Sequence, residues 1–118
     1  MTQKEIFIEI AVAIKQIIPK NENFREAVLD IMRLDKVVEF TGYYINDDSN
    51  KKWLDIFNIN LNTDYIHDLY IISQTQAPIH TNWNRAKYTL FPDAKMSIEY
   101  IWDQNLQDEI DRLNASNI

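Results

Sequence analysis

Two histidines and no cysteine set the limits of metal and nucleophile chemistry in this chain. His67 lies in Asp64-Tyr65-Ile66-His67-Asp68, where Asp64 can share a helix face with His67 or Asp68. A zinc centre needs a third ligand at a defined position, and nothing else in the sequence points there. His80 stands alone in the loop before a predicted strand. Asp47-Asp48-Ser49-Asn50 has the oxygen-rich composition of a calcium loop. It lacks the alternating ligand spacing, the central glycine and the bidentate glutamate, so it reads as a solvated turn. Glu99 and Asp103 would share one face of an extended strand, yet positions that far apart are separated by roughly 13 Å, too far for joint acid–base work. Ser49, Ser73, Ser97 and Ser116 have no base motif beside them. Gly42 is the only glycine, whereas dinucleotide loops and P-loops each require several for tight turns and close phosphate approach. The residues therefore read as those of a protein that is not an enzyme, with no cofactor and no metal expected.

Charge narrows the partners. The formal net charge is −6. Residues 1–53 carry 8 basic and 9 acidic groups, and residues 54–118 carry 4 and 9, so the acidity gathers in the second half. Neutralising phosphates needs Lys and Arg, so neither nucleic acid nor an anionic membrane is an expected partner. A basic protein surface is a better match. The start, Met1-Thr2-Gln3-Lys4-Glu5, has no basic n-region, and no run approaches the roughly 20 apolar residues of a membrane span. The expectation is a cytoplasmic protein. Its 118 residues, 46% apolar and 25% charged, are enough for one domain spanning 1–118 with a continuous core.

The elements that must position these residues follow from periodicity. Thr2 and Glu5 form a capping box, after which Ile6, Ile10, Ala13, Ile14 and Ile17 recur at helical spacing until Pro19. Residues 24–34 fit either period, and Asp35-Lys36 as a hairpin turn favours a strand. Val37 to Ile45 is rich in β-branched and aromatic residues and predicts a second strand. After the turn cluster at 46–50, Lys52 to Ile59 predicts a third. Asn62 or Thr63 caps a helix to about Ser73, with Tyr65, Leu69 and Ile72 on one face. Two strands follow around Phe91-Pro92-Asp93-Ala94-Lys95, where Ala94 falls at a position that favours positive φ. Asp103 or Gln104 starts a closing helix striped by Leu106, Ile110 and Leu113. The fold class is α+β: a largely antiparallel sheet of about five strands, with helices at the N-terminus, between strands three and four, and at the C-terminus.

Alternation assigns Ala86, Tyr88 and Leu90 to one side of strand four, and Met96, Ile98, Tyr100 and Trp102 to one side of strand five, as core positions. Arg85 and Lys87 face Glu99 and Asp103 on the other side, where cross-strand pairing is possible. On strand three, Trp53, Asp55 and Phe57 compete with Leu54 and Ile56 for the same core. One set must face away, which is the best local sign of a binding surface.

Several of these segments together resemble a known family. Trp83-Asn84, Ala86-Lys87-Tyr88-Thr89-Leu90-Phe91-Pro92-Asp93, Lys95 and Ile98-Glu99-Tyr100 resemble the closing hairpin of the YezG-like bacterial immunity (antitoxin) proteins. Ile17-Ile18-Pro19 and Glu39-Phe40-Thr41-Gly42-Tyr43-Tyr44 are similar to that family's first helix end and second strand. Ala94 stands where the family often has glycine, which suggests a subgroup such as the immunity proteins of contact-dependent growth inhibition systems. The resemblance implies an immunity protein that binds and neutralises a cognate toxin C-terminal domain, commonly a nuclease, by stoichiometric blocking. On that reading Asp47, Asp48, Asp55, Glu99 and Asp103 mimic phosphate towards the toxin, and Trp53 supplies the buried anchor. Two other readings stay open: an adaptor or secretion chaperone for another part of a secreted partner, and a small hydrolase using His67.

Overall fold

Alternation in the central strand decides how this chain folds. In β1 (Phe24–Leu34), Ala27, Leu29 and Ile31 are fully buried on one face. The computed structural model describes residues 1–75 and 82–115. The elements run α1 (Gln3–Ile17), β1, β2 (Val37–Asn46), β3 (Lys51–Trp53), a single 3-10 turn (Ile56–Asn58), α2 (Asp64–Thr75), β4 (Arg85–Leu90), β5 (Met96–Ile101) and α3 (Gln104–Ala115). The five strands form one antiparallel sheet in the order β3-β2-β1-β4-β5. This is the expected α+β architecture.

The apolar stripe of α1 packs on the buried face of that sheet. Ile6, Ile10 and Ile14 are fully buried, in one cluster with Leu29, Ile31, Tyr88 and Leu90. The capping box forms as predicted: Glu5 N–H donates to Thr2 Oγ1 at 3.2 Å, and Thr2 N–H donates to Glu5 Oε1 at 3.0 Å. α2 lies on the same face through Ile66 and Leu69, both fully buried, with Tyr65 and Ile72 flanking them. Asn62 Oδ1 accepts from Asp64 N–H at 3.0 Å and starts that helix. The β1–β2 hairpin closes through Leu34 opposite Val37, so Asp35-Lys36 is a two-residue turn with Asp35 at φ 62°. Ala94 adopts φ 68°, the left-handed conformation that its place in the loop called for.

Two sequence-based expectations are corrected. The third strand does not reach Ile59 but stops at Trp53. Asp55 and Asn58 bond to each other, Nδ2 to Oδ2 at 2.6 Å, and the backbone turns instead of pairing. Trp53, Asp55 and Phe57 therefore do not alternate along one strand. Likewise, β5 ends at Ile101, so Asp103 does not share a strand face with Glu99. It is the N-cap of α3, the helix start that the sequence also predicts, its Oδ1 accepting from Leu106 N–H at 3.0 Å. Trp102 lies beyond the strand as well, and is 39% exposed.

The second face of the sheet is less covered. The α3 stripe of Leu106, Ile110 and Leu113 borders, with Met32, Leu34 and Val37, a cavity of about 480 Å³. No residue of α3 among those described is buried.

Candidate functional site

The sole glycine shapes the β2–β3 edge. A Cβ on Gly42 would stand 2.5 Å from the Val28 carbonyl oxygen and 2.8 Å from Leu54 Cδ1. Its absence lets Leu54 seat against the sheet, where Leu54 is buried. Leu54 N–H donates to Gly42 O at 3.0 Å and extends the β2–β3 ladder by one bond. With Leu54 inward, its neighbours turn outward. Trp53 is 72% exposed and Phe57 is fully exposed. The two rings flank a cavity of about 600 Å³ whose other walls are Phe40, Thr41, Gly42, Leu54 and Ile56. This groove is apolar, sits at the sheet edge and, among the described residues, is lined by no histidine, cysteine or carboxylate.

Trp53 is held in place although exposed. Its ring meets Tyr43 edge to face at 6.4 Å, and Lys51 Nζ lies 4.3 Å from the Tyr43 ring and 4.7 Å from the Trp53 ring. Next to it, the β2–β3 turn is fixed from two sides. Asn46 Oδ1 accepts from Asp48 N–H at 3.1 Å and from Asn50 N–H at 2.9 Å. Arg25 donates to Ser49 Oγ at 2.6 Å and to Asp47 O at 2.8 Å. Asp47 and Asp48 are thus exposed side chains on an ordered backbone. The Arg25 cation already occupies two of the oxygens that a calcium ion would need.

Below the edge, Glu22 accepts from Lys52 Nζ at 2.7 Å and from Tyr44 Oη. These two contacts hold the Glu22 carboxyl below its ordinary range, the lysine contributing most. Burial, then Glu22, pushes the Tyr44 phenol up to about 12. Sequence reading missed this trio, because Glu22 precedes the first strand and nothing local marks it as paired.

The free edge was missed too. In a strand the N–H and C=O of one residue point to the same side. Gly42 and Tyr44 point theirs at β3, so Val38 and Phe40 point theirs the same way, where among the described residues no strand lies. Val37 to Thr41 is an unpaired edge running into the aromatic groove. Asp55, Asn58 and Asn60 carried the signal: side chains that compete for backbone bonds interrupt the apolar run.

The structure does not gather all the expected site residues. Asp47, Asp48, Trp53 and Asp55 lie at the β3 edge. Glu99 and Asp103 lie at or beyond β5, four strand spacings away, or roughly 19 Å. Glu99 is exposed opposite Lys87. Asp103 pairs with Arg85 at 3.0 Å. Its carboxyl is held below the usual range, first by the Leu106 N–H and then by Arg85.

A further cavity, about 240 Å³ and polar, lies at the other end of β1. Arg33 lines it, 3.5 Å from the Tyr70 ring centroid and 5.1 Å from that of Trp83, with Nη1 donating to Trp83 O. Burial pushes the guanidinium pKa down. Asp35 and Asp111 line the same space. His67 is half-buried on α2, and His80 lies outside the described residues. Among the described residues no group of three His, Cys, Asp or Glu side chains could hold a metal ion. Nor, among them, is any helix long and apolar enough to cross a membrane. No family model matches the chain, and no curated protein matches it.

Proposed function

We propose that this protein is an immunity protein that binds a cognate bacterial toxin domain, a nuclease by preference, and neutralises it one to one in the cytoplasm without catalysis. The observation that carries the reading is the exposed pair Trp53 and Phe57 around an apolar groove of about 600 Å³. Large aromatics on an ordered edge are the residues from which interface hot spots are built, and they fit a macromolecular partner better than a reaction. The partner's nature rests on two further supports. The closing hairpin resembles that of the YezG-like immunity proteins. The net charge of −6, with Asp55 between the groove residues Leu54 and Ile56 and with Asp47 and Asp48 on the turn that joins β2 to β3, suits a basic, phosphate-binding surface.

The test is co-expression with the toxin domain encoded beside it, followed by purification of both. Growth should be restored and a one-to-one complex should elute. Trp53→Ala should weaken the complex by about 2 kcal/mol or more, some thirtyfold. If excess protein leaves the toxin's activity unchanged and no complex elutes, the reading fails. A second reading, an adaptor or secretion chaperone, is favoured by the unpaired stretch of β2, which suits an extended segment of a partner.

A further inference from the structure

The free edge of β2 specifies its occupant more closely than the groove does. Val38 and Phe40 present outward N–H and C=O groups with no partner among the described residues. Among protein partners, an extended backbone satisfies such a row residue by residue. The available length, Val37 to Thr41, is bounded at one end by the Asp35-Lys36 turn and at the other by Leu54 bonded to Gly42. Side chains alternate along it. Val38 and Phe40 share the face of Leu29, Ile31 and Leu54, while Glu39 and Thr41 share the opposite face with Trp53.

A second copy of this chain is the simplest rival occupant, and charge argues against it. Two-fold pairing of β2 with itself has one register in which Val38 and Phe40 of each copy both find a partner clear of Leu54. That register is centred on Glu39. It sets Glu39 directly across from its own symmetry mate, an arrangement of like charges that destabilises a strand pair. Among the described residues Glu39 has no cationic partner. The same position therefore favours Lys or Arg on an incoming strand.

We infer that the β2 edge takes an extended segment of a protein partner by strand addition, with a basic residue opposite Glu39 and an apolar residue opposite Phe40 entering the groove towards Ile56 and Phe57. The inference deepens the proposed binding function and rests on it. It assigns the first recognition element to an alternating apolar–basic strand of the partner.

The probe is a synthetic peptide, Thr-Val-Lys-Phe-Lys-Val-Thr, capped at both ends and titrated into isotope-labelled protein, with a counterpart carrying Glu for Lys. The lysine peptide should shift the Val38 and Phe40 amides and slow their hydrogen exchange. The glutamate peptide should bind about tenfold more weakly, and Glu39→Lys should invert that preference. Val38→Pro removes an outward donor but no bond to β1, so it should weaken the lysine peptide while the circular dichroism spectrum stays unchanged. The inference is overturned if the Val38 and Phe40 amides do not respond, or if Glu39→Lys leaves the preference as it was. It is also overturned if the protein alone proves to be a dimer protected at those amides. In a complex with the toxin domain, neutralisation with Val38 and Phe40 still exchanging freely would overturn the edge and leave the immunity reading standing. Peptide binding without neutralisation would do the reverse.

Discussion

Two aromatic regions of this molecule are built from similar residues and put to opposite uses. Around the closing hairpin, Trp83 stacks on Tyr100 at 4.9 Å and meets Tyr70 edge to face at 5.5 Å. Its indole N–H donates to Ser73 Oγ at 2.8 Å, and Tyr88 Oη donates to Phe7 O at 2.9 Å. Both side chains are fully buried. At the β2–β3 edge, Trp53 and Phe57 are exposed beside a half-buried Tyr43, and the groove between Trp53 and Phe57 is open. A buried aromatic is retained by its area and by a satisfied polar tip. An exposed one contributes little to folding, and its cost in solubility is offset only when something binds it. The first region stabilises the fold, and the second is available for recognition.

The largest effect that would break this contrast is in the core. Trp83→Ala should cost about 3–5 kcal/mol in urea denaturation, because removing a fully buried indole leaves a cavity and takes away the donor to Ser73 Oγ. A loss as small as that of a surface substitution would mean that the hairpin does not close the core. Next comes Gly42→Ala. Its Cβ meets the Val28 carbonyl and Leu54 Cδ1 below contact distance, so about 1–3 kcal/mol should be lost through overpacking. The displacement of Leu54 should also alter the emission of Trp53. Tyr88→Phe should cost about 1 kcal/mol, the value of one buried hydrogen bond to the Phe7 carbonyl.

A smaller and pH-dependent effect distinguishes the carboxylates. Glu22 and Asp103 are both held below their ordinary values by hydrogen-bonded partners. A group depressed in the folded state binds protons more readily when unfolded. Its contribution is present above the unfolded value and lost as pH falls through the folded one. Urea midpoints should therefore drop below about pH 4.5, and Asp103→Asn should flatten part of that slope. The smallest effect sharpens the comparison most. Trp53→Ala and Phe57→Ala should each change stability by no more than about 0.5 kcal/mol, whatever they do to partner binding. A stability loss equal to that of a core aromatic would place the edge in the scaffold.

Much of the scaffold was legible because its signals are local. The capping box at Thr2 and Glu5, the two-residue turn at Asp35-Lys36 and the stripe through Ile6, Ile10 and Ile14 each depend on residues a few positions apart. The alternation of Ala86, Tyr88 and Leu90 identified the buried face of β4 directly. Residues 52–59 were harder. Their apolar and aromatic content reads as a strand, yet after Trp53 the backbone turns on itself, Ile56 N–H donating to Leu54 O at 2.9 Å and Asn58 N–H to Asp55 O at 3.1 Å. Asp103 carries two signals, alternation continuing past Ile101 and a cap for the closing helix, and the chain follows the second.

The candidate site was legible only in its parts. The competition between Trp53 and Leu54 for one core was visible, and it required that something face away. Which residue did so depended on Gly42, eleven positions earlier, leaving room for Leu54 against β1. The free edge of β2 depended on how far β3 ran. The separation of Glu99 and Asp103 from Asp47, Asp48 and Trp53 depended on strand order, which placed β4 and β5 on the far side of β1.

By itself, the sequence determined the chemistry and the periods: no cysteine, one glycine, an acidic balance, and helices and strands whose apolar residues repeat at the spacing of their own backbones. These are properties of residue type and near neighbours. Tertiary structure alone decided which aromatics are core and which are surface, and where the sheet was left without a partner strand. Those outcomes turn on contacts between residues far apart in the chain, such as Gly42 with Val28 and Tyr88 with Phe7, and the packing of the whole core selects them.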